Sequence, residues 1–287
     1  MSVIRLMRPH QWVKNAFVFT GLIFGHGWQE PSLVQAVLMA FVAFCLASSS
    51  VYVLNDLFDR EQDRLHPTKC KRPIASGAVS VSQARLLSGA LAATALLLAW
   101  RASPPVAGYV LAYLVLNVAY TLRLKQIVLL DIFCISAGFM LRILAGTDGV
   151  DIPPSNWLLF CGLWATLFLG FIKRRAEIIA LQESKADHRK VLGDYGPVLL
   201  DKLIGITCTG MILSYSLYTM DVDVRRIHDT DNLIYTVPFV IYACFRYIYL
   251  LHQQEGGGDP SRDLIRDPHI LVAGGAWLIV TLLMVAG

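Results

Sequence analysis

Long, uninterrupted apolar runs alternate along this chain with shorter polar segments. The runs fall at about 16–29, 33–54, 84–100, 105–121, 127–146, 157–172, 203–219, 233–251 and 269–286. A helix crosses a bilayer with about 17–25 apolar residues. The runs are continuous rather than alternating, which excludes the strands of a membrane barrel. The pattern predicts an all-α polytopic membrane bundle of nine transmembrane helices, one integral-membrane domain over residues 1–287, with the first and sixth runs short. The opening stretch MSVIRLMRPHQWVKN is basic, but Pro9, Gln11, Lys14 and Asn15 do not suit a signal peptide. It reads as a retained interfacial segment leading into the first span.

Composition agrees with that class. Hydrophobic residues make up 55% and charged residues 16%, and mean hydropathy is +0.54. Intrinsic disorder needs the opposite balance. The net charge of +4 carries no basic stripe interleaved with aromatics, so nucleic acid is not an expected partner. The placement of charge says more than its sum. When loops are assigned alternately to two sides, 20 of the 25 Lys and Arg fall on one side, and only Arg101, Arg225 and Arg226 on the other. Arg142 and Arg246 fall within spans. The positive-inside rule then puts the N-terminus in the cytoplasm and the C-terminus outside, in an inner (plasma) membrane. Two polar cytoplasmic loops, about 55–83 and 173–202, hold most of the remaining chemistry.

The cysteines are not spaced as C-x-x-C. Cys45, Cys134, Cys161, Cys208 and Cys244 lie in apolar runs and read as small buried hydrophobes, leaving Cys70 in a polar loop. The seven histidines have no metal-ligand spacing.

The strongest local signal is Asn55-Asp56-Leu57-Phe58-Asp59-Arg60-Glu61-Gln62-Asp63, at the exit of the second span. Asp56, Asp59 and Asp63 stand at i, i+3 and i+7 and share one face of a helix. Three stacked like charges need a cation. Hard oxygen ligands of this kind suit Mg²⁺, which binds through a few carboxylates together with substrate phosphates. Lys69, Lys71 and Arg72 follow in KCKRPIASG, so carboxylates for a metal are succeeded by cations for phosphate.

With its K-R-P-I-A-S-G sequel, this N-D-x-x-D-x-x-x-D pattern resembles the first aspartate-rich motif of the UbiA superfamily of intramembrane prenyltransferases. The resemblance implies a UbiA-like fold. It also implies that Asp56, Asp59 and Asp63 bind diphosphate through Mg²⁺ and act in catalysis, with Asn55 and Arg72 in support. Tyr120 and Lys125, in YTLRLK, match a Tyr and Lys that follow span 4 in that superfamily.

The chain departs from the superfamily after span 6, where a second motif of about D-x-x-x-D is expected. It reads Phe171-Ile172-Lys173-Arg174-Arg175-Ala176-Glu177, continuing to Asp187, His188, Arg189, Leu192, Asp194 and Tyr195. This half is mostly basic. It suggests direct phosphate contacts from Lys173, Arg174 and Arg189, although Lys173 and Glu177 at i, i+4 also suit each other.

Further features cover about residues 5–270. They are R-P-H-Q-W-V-K-N near the start, Leu130-Asp131 with Arg142 eleven residues on, F-I-K-R-R-A-E-I, and R-Y-x-Y-L-L in span 8. Together they resemble the decaprenyl-phosphate phosphoribosyltransferase branch of the superfamily. That resemblance implies Mg²⁺-dependent transfer of 5-phosphoribose from phosphoribosyl diphosphate (PRPP) to a polyprenyl phosphate, with inversion at C1. Asp131, Glu177, Tyr195, Arg246 and Lys14 join the candidate substrate contacts, Lys14 toward the lipid phosphate. Two rivals remain open. One is prenyl transfer from a prenyl diphosphate to an aromatic or other acceptor. The other is a transporter or lipid-binding protein, which would line a path across the bundle with charge. Gly and Ser occur in several spans without singling out a dimer face.

Overall fold

The computed structural model describes residues 2–25, 27–182, 195–253 and 267–286. Eight long helices carry the fold: α1 (Pro31–Phe58), α2 (Val81–Ala102), α3 (Pro104–Leu122), α4 (Leu130–Ala145), α5 (Asn156–Gln182), α6 (Pro197–Met220), α7 (Val237–Gln253) and α8 (Pro268–Ala286). No strand occurs among the described residues. Among the described residues, seven helical segments are long and apolar enough to cross a membrane, and the apolar stretch Pro268–Met284 of α8 is shorter.

Eight of the nine predicted spans are therefore long helices, and the first is not. Its residues form 3₁₀ turns over Pro9–Phe19, a short α-helix Thr20–Phe24 and a further turn at Gly27–Gln29. The reason lies in the polar residues of this stretch. Asn15 is completely buried, and its amide donates to Cys45 Sγ at 3.2 Å and Ser48 Oγ at 3.3 Å on α1. The segment is matched to protein rather than to lipid, where irregular backbone is tolerated only when neighbours satisfy it.

The predicted loop 173–202 also differs. Helix α5 runs on to Gln182 and α6 begins at Pro197, so Lys173, Arg174 and Glu177 stand on a helix. Likewise α1 continues through Asn55 and Asp56 to Phe58. Polar side chains at a helix end reach interfacial water while their backbone stays hydrogen-bonded, so loss of hydropathy does not end the helix.

The chain divides into two compact units. The first comprises Met1–Lys125 and Ala137–Pro154. Its core joins Ala40, Ala43, Phe44 and Ala47 of α1 to Ala95 and Ala99 of α2 and Val106 and Val110 of α3. Small residues allow close helix approach. Ser50 and Ser88 fasten α1 to α2, each hydroxyl donating to the other's carbonyl, at 2.8 and 3.1 Å. Ser80 and Gln83 form a capping box at the start of α2. The end of α4 approaches the N-terminal segment so closely that a Cβ on Gly146 would lie 1.7 Å from the Val18 carbonyl oxygen. Gly146→Ala is expected to lower stability by about 1–3 kcal/mol, the range for overpacking, read as a fall in Tm in detergent.

The second unit comprises Gln126–Ser136 and Ser155–Gly287. Leu167, Phe168, Phe171 and Ile172 of α5 pack with Leu200, Ile204 and Cys208 of α6, Cys244 and Tyr247 of α7, and Ile132 of α4. Four of the five span cysteines (45, 134, 208, 244) are buried, and all six are free thiols.

Candidate active site

The aspartates lie in the first unit, where α1 ends. The hydrogen-bond ladder continues through Asp59, whose N–H donates to the Asn55 carbonyl, into the short helix Arg60–Leu65. Asp56 and Asp63 are both buried, at 3% and 4% exposure. One nitrogen of Arg72 joins them, its Nη1 donating to Asp56 Oδ1 at 3.1 Å and to Asp63 Oδ2 at 2.8 Å. Arg8 Nη2 donates to the same Asp56 oxygen at 2.5 Å. Lys125 Nζ donates to Asp59 Oδ1 at 2.9 Å. Thr121 hydrogen-bonds Asn55 Oδ1. Three carboxylates are thus met by three cations.

Arg8 is held on purpose. Its backbone is left-handed, with φ 52°, at the junction of the short helix Ser2–Met7 with Pro9. Such a conformation is costly for a residue with a side chain. Its guanidinium also lies over the Tyr52 ring, 5.1 Å from the centroid. Below it on α1, Ser49 accepts from Trp12 Nε1 at 3.0 Å and donates to the Met7 carbonyl at 2.9 Å. The face of α1 bearing Ser48, Ser49, Tyr52 and Asp56 therefore binds the N-terminal segment in register. Arg142 of α4 completes the attachment. It is buried, donating to Asn15 Oδ1 at 2.7 Å, the Gly138 carbonyl at 2.7 Å and the Tyr113 hydroxyl at 3.1 Å. Phe44, Tyr113 and Phe139 surround its charge.

A second constellation lies in the other unit. Asp131 is fully buried and Arg174 is 5% exposed. Arg174 Nη2 donates to Asp131 Oδ2, and Nη1 donates to Glu177 Oε2 at 2.6 Å. The Tyr195 hydroxyl donates to Asp131 Oδ1 at 2.7 Å and accepts from the Leu129 N–H at 2.6 Å. Burial, together with the Asp131 carboxylate, holds the Tyr195 phenol well above its ordinary pKa. It stays a proton donor at physiological pH. Arg175 pairs with Asp201 at 2.6 Å. Arg246 pairs with Asp267 at 2.8 Å and lies over Tyr249; the same ion pair holds the Asp267 carboxyl below its usual range.

The structure thus joins Asp56, Asp63, Arg8 and Arg72 in one ion-pair network, with the Asp59–Lys125 pair and the Asn55–Thr121 hydrogen bond in the same unit, and joins Asp131, Arg174, Glu177 and Tyr195 in another. Lys173 is exposed, and Glu177 takes Arg174 as its partner instead. Lys14 and Lys71 are exposed and Tyr120 half-buried, on the Pro9–Phe19 segment, the Lys69–Lys71 turn and α3. Arg189 lies outside the described residues. Sequence reasoning did not place Arg8, Thr121 or Asn15 in the site. No local signal marked Arg8, whose partner Asp56 lies 48 positions away.

Residues 15–264 match the model of the UbiA prenyltransferase family. The chain belongs to that family. A decaprenyl-phosphate phosphoribosyltransferase of Mycolicibacterium smegmatis is 33% identical, over 96% of this chain and 90% of its own length. One from Corynebacterium glutamicum is also 33% identical, over 99% of this chain and 86% of its own. Among solved structures, a UbiA homolog from Archaeoglobus fulgidus bound to DMAPP and Mg²⁺ matches with a TM-score of 0.73. It is 17% identical, with 100% of this chain and 97% of that one covered. This UbiA-family chain is an integral membrane protein.

Among the described residues, no three His, Cys, Asp or Glu side chains form a ready metal cage. Yet Asp56 and Asp63 already share one cation, Arg72, and both present hard oxygen donors. Carboxylate oxygens of this kind are the donors that a hard divalent cation takes.

Proposed function

We propose that this chain transfers 5-phosphoribose from PRPP to a polyprenyl phosphate of the decaprenyl type, releasing diphosphate. The likeness over nearly the whole chain to two decaprenyl-phosphate phosphoribosyltransferases carries this reading. In it, Asp56, Asp59 and Asp63 would hold Mg²⁺, with Asn55 beside them. When bound, the ion would neutralise charge on the departing diphosphate.

The residues of the chain do the rest. Arg8, Arg72 and Lys125 are compensated by carboxylates, so each cation has an anionic partner to exchange for phosphate. Arg binds phosphate through a planar fork and Lys as a point charge. Lys14, Lys71, Lys173 and Arg189 are assigned to the remaining phosphate charge, and Tyr120 and Arg246 to positioning the substrates. The lipid phosphate is already an anion, so no strong base is needed to activate it. This agrees with the state of the acids, since Asp131 and Glu177 are both engaged by Arg174. Displacement at C1 through an oxocarbenium-like state inverts the anomeric centre. The reaction faces the cytoplasm, with the N-terminus on that side.

Purified protein in nanodiscs, given labelled PRPP and polyprenyl phosphate, is expected to yield labelled lipid and free diphosphate in a Mg²⁺-dependent manner. Consumption of a prenyl diphosphate with no dependence on PRPP would establish the prenyl-transfer alternative instead.

A further inference from the structure

Tyr52 stands on α1 one turn before Asp56 and three residues before Asn55, so it shares their helix face. Its ring lies under the Arg8 guanidinium, 5.1 Å from the centroid, and that same guanidinium reaches Asp56 Oδ1. The other polar side chains of this face are bonded within the first unit. Ser48 and Ser49 hold the N-terminal segment, Asn55 takes Thr121, and Asp56 takes Arg8 and Arg72. Tyr52 differs from them. It is half-buried, and its hydroxyl has no hydrogen-bond partner among the described residues. A polar group taken out of water without a partner costs free energy, and a ligand that supplies the partner recovers it.

The surrounding charge decides which ligand. Two guanidinium groups act on Tyr52, that of Arg8 and that of Arg142 on α4. Arg8 is offset by Asp56. Arg142 has no carboxylate partner among the described residues, since its hydrogen bonds go to an amide, a carbonyl and a hydroxyl. Positive charge nearby suits a phenol as donor and opposes a second donor at its oxygen. An ionised phosphate, which offers acceptors only, complements such a group. We infer that Tyr52 is a further substrate contact, its hydroxyl donating to a phosphate oxygen of the substrate held at Asp56, Asp59 and Asp63. This deepens the reading above and rests on its placing of a diphosphate at those aspartates. Four residues along a helix are about 6 Å, a span that a phenol side chain bridges. The ring has a separate part, as the surface that steadies Arg8.

Tyr52→Phe tests the hydroxyl alone, because it keeps the ring under Arg8. Since the hydroxyl holds nothing within the protein, a structural role predicts unchanged turnover and unchanged Tm. The measurements use the full chain in nanodiscs with Mg²⁺, PRPP and polyprenyl phosphate. They are kcat/KM, the KM of each substrate, and the inhibition constant of inorganic diphosphate. Tyr52→Phe is expected to lose about ten- to a hundredfold in kcat/KM at unchanged Tm, the range for a hydrogen bond to a charged group. A contact to the leaving diphosphate also weakens inhibition by diphosphate, by about tenfold. A contact to the lipid phosphate leaves that inhibition alone and raises the KM of the lipid. Either result supports the inference and identifies the phosphate. Turnover within about threefold of wild type overturns it. So does a loss of turnover that moves neither the diphosphate inhibition nor the lipid KM, or one that follows a fall in Tm. If wild type consumes a prenyl diphosphate and no PRPP, the phosphoribosyl reading fails, and the same comparison on that donor still decides the role of Tyr52.

Discussion

Asp63→Ala is expected to lower turnover by about 10²–10³-fold, the loss seen when one preorganised electrostatic contact to developing charge is removed, while the protein stays folded. The geometry separates these two outcomes. Asp63 stands on the short helix beyond the end of α1, and among the described residues its carboxylate pairs with Arg72, which keeps Asp56 as a partner when Asp63 is gone. No buried charge is stranded. Asp56→Ala is a less clean experiment, because Asp56 compensates both Arg8 and Arg72. Turnover with labelled donor, set beside Tm and gel filtration of the same preparation, measures both effects. Turnover within about threefold of wild type would remove Asp63 from diphosphate binding.

What the sequence made legible follows from how local each interaction is. The eight helices were visible because each must bury or expose to lipid a continuous apolar surface. The first segment was misread because its polar atoms are satisfied by other helices, as when Asn15 meets Ser48 and Arg142. The acidic cluster was visible because i, i+3 and i+7 are one helix face. Its cations were only partly so. Arg72 follows closely, but Arg8 reaches Asp56 across 48 positions and Lys125 reaches Asp59 across 66. In the basic run after span 6 the residue types were plain and the charge balance was not. Arg174 looked like a free phosphate ligand until folding set Asp131, 43 positions away, against it. Short-range spacing thus reveals where charge collects, and only the fold reveals which charge is already compensated.

Asp131→Ala should have the largest effect on stability, a loss of about 3–5 kcal/mol, as when one member of a buried ion pair is removed. Asp131 is fully buried and accepts from both Arg174 and Tyr195. Its loss leaves a guanidinium that is 5% exposed with Glu177 as its one remaining carboxylate, and leaves the Tyr195 hydroxyl without its acceptor. The cost comes from stranded polar groups rather than from lost attraction, and this makes a sharper prediction possible. Replacing both partners, as in Asp131→Leu with Arg174→Met, removes the stranded charge and should cost less than Asp131→Ala alone. Tyr195→Phe should cost only about 1 kcal/mol, since it removes one hydrogen bond and leaves the ion pair. Denaturation midpoints in one detergent order the three variants. If the double replacement were the least stable of them, the network would hold the second unit by its ion pair itself. If it were more stable than Asp131→Ala, the cost of the single change would lie in the stranded guanidinium.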